Sequence, residues 1–98
     1  MDKLHTPQVD ELFEAILSLK NTEECYRFFE DVCTVKEICE IAQRLDVAGY
    51  LYKGKNYQEI SKATGASTAT ISRVKKCLVY GSGGYRTALD RAKEEGEK

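Results

Sequence analysis

The sequence predicts an all-α protein of six helices with a helix-turn-helix in its second half. Three observations carry that prediction. Only one proline, Pro7, interrupts 98 residues. Apolar residues recur at three- and four-residue intervals along most of the chain, the period of a helix with one buried face. Two short periodic segments flank a glycine at position 65, as two helices around a tight turn require. A composition of 42% hydrophobic and 32% charged residues is that of an ordinary folded domain, so one domain spanning 1–98 is expected.

The elements follow in order. Thr6-Pro7 suits an N-cap followed by proline at the first helical position. Val9, Leu12, Phe13, Ile16 and Leu17 then form one stripe, and the helix is expected to end near Lys20-Asn21. A second helix from about Thr22 to Val32 is expected to bury Cys25, Phe28, Phe29 and Val32. Tyr26 and Cys33 widen that stripe. Thr34-Val35-Lys36-Glu37 reads as a capping box, threonine side chain to one backbone N–H and glutamate back to another. It opens the longest helix, about 35–52, with Ile38, Ile41, Ala42, Leu45, Ala48 and Tyr52 as its main stripe and Val47 and Leu51 off it. Two short helices, about 57–64 and 68–79, come next. Gly81-Ser82-Gly83-Gly84 connects them to a last amphipathic turn or two carrying Tyr85, Ala88, Leu89 and Ala92, and the end from Glu94 to Lys98 is expected to fray. Six helices in so short a chain leave more apolar surface than one copy covers, which points to a second copy.

Charge is distributed unevenly. The whole chain carries a net −1, but residues 1–52 hold five basic and eleven acidic side chains, a net −6. Residues 53–86 hold seven basic side chains (Lys53, Lys55, Lys62, Arg73, Lys75, Lys76 and Arg86) and one acidic, Glu59, a net +6. A concentrated positive segment attracts phosphate through counterion release, while the acidic remainder repels it and orients the encounter.

The helix-turn-helix of residues 56–79 lies inside that block. Asn56 can cap its first helix, which turns Ile60, Ala63 and Thr64 inward. Gly65 stands where the chain must reverse, and glycine adopts positive φ without strain. Ser67 can cap the second helix, which turns Ile71, Val74 and Leu78 inward, so that Ile60 and Ile71 meet across the turn. The opposite edge holds Ser67, Thr68, Ala69, Thr70, Ser72 and Arg73. These are small or polar residues fit to enter a major groove ~12 Å wide. Hydroxyls can bond bases or phosphates, methyls can touch thymine, and arginine can pair with guanine. Lys75 and Lys76, a turn further on, suit the phosphate backbone. Gln58 and Lys62 approach from the first helix. The expected partner is double-stranded DNA, read by a homodimeric regulator of transcription. A different class of reading treats the helical pair as a docking surface in a protein-interaction adaptor, with Arg73 as an intramolecular salt-bridge partner and the threonines as helix-start residues.

Other classes have less to stand on. The one histidine, His5, and the lack of a nucleophile–base constellation or a glycine-rich nucleotide loop argue against an enzyme. Cys25, Cys33, Cys39 and Cys77 form no CxxC pair. No metal is expected, and all four read as reduced thiols packed as small hydrophobes. The N-terminal residues lack the apolar core of a signal peptide and no stretch is long enough to span a membrane, so a cytoplasmic location is expected.

The run Gly65-Ala66-Ser67-Thr68-Ala69-Thr70-Ile71-Ser72-Arg73, with six helices and a long third one, resembles the Trp-repressor superfamily, and within it the YerC/YecD-type branch. Its last five residues are similar to the Ala-Thr-Ile-Thr-Arg run that opens the family's recognition helix. The resemblance covers nearly the whole chain. It implies an intertwined homodimer, with the first three helices and the last in a shared core and residues 56–79 as two reading heads. It also implies a corepressor pocket in which two arginines clamp an indole and a threonine holds its carboxylate. Arg44, Arg73 and Thr34 occupy those positions. Val74 stands where the family has a glycine that leaves room for the indole, and Cys77 where it has a serine. Overpacking of that kind costs ~1–3 kcal/mol, so no tryptophan cofactor is expected, and any small-molecule effector would be a different one.

Overall fold

Side-chain caps determine where the helices begin. In a computed structural model, which describes residues 2–96, six helices follow one another: α1 (Pro7–Leu17), α2 (Thr22–Val32), α3 (Val35–Tyr52), α4 (Tyr57–Thr64), α5 (Thr68–Tyr80) and α6 (Gly84–Gly96). No strand occurs among the described residues. Thr6 Oγ1 accepts the Val9 N–H at 3.2 Å, with Pro7 at the first helical position. Asn21 accepts the Glu24 N–H at 2.9 Å. Thr34 accepts the Glu37 N–H at 3.1 Å while Glu37 accepts the Thr34 N–H at 2.8 Å. Each cap satisfies a donor that the first turn of a helix otherwise leaves unpaired. Hydrogen bonding from Thr34, chiefly its backbone N–H and then its side chain, holds the Glu37 carboxyl below the usual carboxylate range.

The helices divide into two compact units between Ile38 and Cys39, within α3. In the first unit neither α1 nor α2 buries any side chain fully. Val9, Ile16, Cys25, Phe28 and Phe29 are half-buried, and the rings of Phe28 and Phe29 meet edge to face with centroids 5.4 Å apart. The rest of the expected stripes is open. Leu12, Phe13 and Val32 are exposed, and Leu17 is 83% exposed. Helix α1 stops short of Lys20-Asn21. The Ser18 hydroxyl donates to the Ala15 carbonyl at 2.6 Å and the Leu19 N–H to Ile16 at 3.1 Å, tightening the last turn. Asn21 belongs to α2 as its cap.

The second unit holds the core. Val47 and Ala48 of α3 meet Ile60 of α4, Ala66 of the turn, and Ile71 and Val74 of α5; Tyr50, Leu51, Tyr57, Tyr85 and Leu89 pack around them. Here the expected stripe of α3 needs correction. Ile41, Ala42 and Leu45 are exposed, whereas Val47, off that stripe, is fully buried. A periodic pattern marks the apolar faces of a helix without saying which of them the rest of its own chain covers. Ala63, expected inside α4, is exposed, and Tyr57 takes part in the packing instead. Cys39 and Cys77 are exposed and Cys25 and Cys33 only half-buried, so none is a core residue.

The chain end is more helical than expected. Helix α5 reaches Tyr80, and α6 is a full 13-residue helix rather than a turn or two. Tyr85 and Leu89 anchor it on the core, the Thr87 hydroxyl donates to the Gly83 carbonyl at 3.0 Å, and the charged residues beyond are good helix formers. Glu94, Glu95 and Gly96 continue that helix; Glu97 and Lys98, where fraying was also expected, lie outside the described residues.

Two expectations follow. Ile60→Ala removes a fully buried side chain from the junction of three helices and should cost ~2–5 kcal/mol, read as a lower denaturant midpoint with an unchanged slope. Because the Glu37 carboxyl is held below its unfolded value, its contribution to stability is complete above the unfolded pKa and is lost as pH falls through the folded one. Glu37→Gln should therefore flatten that part of the acid decline, measured as denaturation midpoints across the acidic range.

Candidate nucleic-acid interface

The geometry of the helix-turn-helix starts at its turn. Asn56 and Glu59 form a reciprocal capping box, with the Glu59 N–H donating to Asn56 Oδ1 at 2.9 Å and the Asn56 N–H to Glu59 Oε1 at 3.3 Å. Helix α4 ends at Gly65, whose φ of 76° and ψ of 3° lie in the left-handed region. Its N–H donates to the Ser61 carbonyl at 2.8 Å. Thr64 braces the same corner. Its hydroxyl donates to the Ile60 carbonyl at 2.8 Å and accepts the Ala66 N–H at 3.1 Å, and its own carbonyl accepts the Gln43 side-chain amide from α3 at 3.2 Å. The turn is thus tied both to itself and to the long helix that supports it.

Helix α5 then starts at Ser67, whose Oγ accepts the Thr70 N–H at 3.2 Å while the hydroxyl donates to Thr70 Oγ1 at 3.1 Å. Ile71, Val74 and Leu78 are buried, as their spacing predicts. The opposite edge is open: Thr68, Ala69, Ser72, Arg73 and Lys76 are all exposed. Thr70 is half-buried, and its Oγ1 accepts the Ser67 hydroxyl. No acidic residue stands in the first turn of α5, so the positive end of the helix dipole is left for an external anion. Among the described residues Arg73 has no salt-bridge partner, which leaves the intramolecular-pair reading of that residue without support.

The predicted residues fall into groups. Gln58, Lys62 and Thr68 line one shallow cleft together with Tyr57 and Ser61, bringing the α4 side chains beside the start of α5. Lys75 lies off the outer edge, its ammonium 5.7 Å from the centroid of the Tyr57 ring. Arg44 and Arg73 line a second cleft of about 200 Å³ with Thr70, Val74, Cys77 and Tyr85. Val74 is only 2% exposed and belongs to the core cluster, so its side chain forms part of the cleft wall that is anchored in the core. Thr34 belongs to the other compact unit, where it caps α3.

Tyr57 is the residue that sequence reasoning missed. Its ring packs on the core and carries Lys75, and its hydroxyl accepts the Ser72 hydroxyl at 3.4 Å. It ties two residues of the outer region of α5 to the first turn of α4. Nothing in the periodicity marks this contact, because it joins two helices across a turn.

Comparison with known proteins agrees with this architecture. Residues 7–93 match the sequence profile of the Trp repressor protein family. The chain is 60% identical over 94 residues, 96% of its length, to the uncharacterized protein YerC of Bacillus subtilis strain 168, covering 90% of that protein. A crystal structure of a TrpR-like protein from Eubacterium eligens superimposes with a TM-score of 0.91 at 52% identity, over 93% of this chain and 94% of that one. A candidate Trp repressor from Staphylococcus aureus superimposes with a TM-score of 0.90 at 53% identity, over 93% and 91% of the two chains.

The Ser67 cap can be separated from any contact it makes with a ligand. Ser67→Ala should lower stability by ~1 kcal/mol, and Ser67→Asp, which keeps the acceptor, should restore most of it. Thermal unfolding of the three proteins without any ligand checks this.

Proposed function

This chain belongs to the Trp repressor protein family, and from that premise we propose that it is a sequence-specific double-stranded DNA-binding regulator of transcription, acting as a repressor. The observation that carries the reading is the outer edge of α5. Ser67, Thr68, Ala69, Ser72, Arg73 and Lys76 are exposed side by side over a buried inner face, inside a segment of net charge +6. In this reading α5 enters the major groove with Thr68, Ala69, Thr70, Ser72 and Arg73 toward base edges. Its capped N-terminus, with Ser67, meets a backbone phosphate, and Gln58 and Lys62 follow from the side. Lys75 and Lys76 supply sequence-independent attraction.

The working form is a homodimer, with the whole chain acting as one Trp-repressor-like domain. The exposed apolar side chains of α1, α2 and α3 support this. Leu12, Phe13, Leu17, Val32, Ile41 and Leu45 are all open on a single chain, and helices this apolar need a partner surface. Two reading heads related by a two-fold axis fit a pseudo-palindromic site with half-sites ~34 Å apart. Tryptophan is not the corepressor in this proposal, because Val74, a buried core residue, lines the cleft of Arg44 and Arg73 where the family's glycine leaves room for an indole. The lack of any helix long and apolar enough to cross a membrane, among the described residues, suits a regulator working on cytoplasmic DNA.

Selection of bound fragments from random duplexes tests the reading. It should return a two-fold-related sequence. Arg73→Ala should relax preference at one position of each half-site, with a cost of ~1–3 kcal/mol. Lys75→Ala should weaken binding to all sequences and reduce the salt slope by about one unit. Sedimentation should give twice the chain mass. A protein that binds no duplex above random DNA, with Arg73→Ala changing nothing, would overturn the proposal and favour the adaptor.

A further inference from the structure

A second face of α5 remains unused by the reading edge. The end of α3, the turn after it, the second half of α5 and the start of α6 enclose a cleft of about 310 Å³. Its apolar lining comes from Leu51, Leu78 and Val79, and its cations are Lys55, Lys75 and Arg86. These charges arrive from three separate segments, and no carboxylate is among the lining residues. Two acids stand close by, one of them hydrogen-bonded to Tyr52 of the lining. Glu59 stands 4.0 Å from Lys55 Nζ, the outer limit of an ion pair, and Asp90 accepts the Tyr52 hydroxyl. Lys75 rests over the Tyr57 ring, which does not neutralise it. Arg86 Nε donates to the Leu78 carbonyl at 3.2 Å. That bond explains Arg86 as a cation at the negative end of α5 and leaves its other N–H groups unspent. It does not explain why Lys55 and Lys75 face the same cleft.

We infer that this cleft binds a small amphipathic anion, a phosphate monoester with an apolar body, and that its occupancy opposes DNA binding. Small-ligand sites combine an apolar lining with a few convergent polar groups and start at ~300 Å³, so this cleft suits one ring or a short chain. A phosphate monoester carries close to two negative charges at neutral pH, which answers three cations better than a single carboxylate does. The apolar floor disfavours inorganic phosphate alone. Lys75, Leu78 and Val79 lie on α5, and Lys75 cannot serve two anions at once. A bound anion therefore subtracts positive charge from the helix that meets DNA. This regulatory half rests on the DNA-binding reading; the binding half does not.

Phenyl phosphate is the probe, titrated calorimetrically into the full-length chain beside inorganic phosphate and phenol. One saturable site per chain is expected for phenyl phosphate and none of comparable affinity for the other two. Lys55→Gln and Val79→Asp, both at exposed positions, should each weaken it roughly tenfold or more, and Lys93→Gln should leave it unchanged, with circular dichroism confirming that all three fold. Saturating phenyl phosphate should weaken duplex binding several-fold, and duplex should weaken phenyl phosphate by the same factor. Absence of binding at millimolar concentration overturns the site, as does binding by Lys55→Gln and Val79→Asp as tight as that of the unaltered chain. Inorganic phosphate binding as tightly as phenyl phosphate overturns the amphipathic ligand. If the two variants lose DNA affinity while phenyl phosphate never binds, the cleft is a contact to the nucleic-acid backbone and the inference fails. Unaltered duplex affinity at saturation overturns the regulatory half. A chain that binds no specific duplex defeats the DNA-binding reading, while calorimetry still decides the site.

Discussion

The packing of Ile60 against Ile71 across the Gly65 turn, seated on Val47 and Ala48 of α3, is the contact on which the second unit depends. Both isoleucines are fully buried. They join α4 and α5 in one cluster, to which Val74 and the ring of Tyr57 add further apolar surface. Everything on the outside of α5 is placed by what is fixed on its inside. The local devices serve that contact. A left-handed glycine permits the reversal, Thr64 closes the corner, and Gln43 ties it back to α3.

The polar chemistry of α5 divides into distinct regions around that buried face. The outer edge offers hydroxyls, a methyl and an arginine that has no salt-bridge partner among the described residues. One flank lines a cleft with Arg44 and Tyr85, to which Val74 and Cys77 contribute. The other flank carries Lys75 above Tyr57 and adjoins the basic cleft with Lys55 and Arg86. A helix with an exposed polar edge and a separate cation-lined flank presents two chemically different surfaces on one rigid element. Val74 is a buried β-branched side chain that cannot be displaced from the Arg44 cleft without disturbing the core it belongs to.

The first unit obeys a different constraint. Its caps are complete, yet α1 and α2 bury no side chain fully. Such helices are locally well specified and globally unsatisfied, since propensity and capping alone leave short helices marginal in water. The same is true of Ile41 and Leu45 on α3. These residues are the reason a second copy is invoked, and they carry more of that argument than any polar feature does.

Much of this protein was legible from one sequence because its signals are local. The capping residues Thr6, Thr34, Asn56 and Ser67 act on N–H groups within three residues, Gly65 marks its turn by its own backbone freedom, and the inner face of α5 repeats at helical spacing. The exposure of Ser67, Thr68, Ala69, Ser72 and Arg73 was legible as the complement of that face, whereas Thr70 is half-buried. Tertiary structure alone decided the rest. It buried Val47 in place of Ile41, Ala42 and Leu45, exposed Ala63, Cys39 and Cys77, and extended α6 through the docking of Tyr85 and Leu89. It also joined Tyr57 to Ser72 and Lys75, and gathered Lys55, Lys75 and Arg86 around one cleft. Each of these turns on which helix face meets which neighbour. Periodicity records that a residue is apolar or charged and where it lies around its own helix axis, but not what stands opposite it once the helices pack.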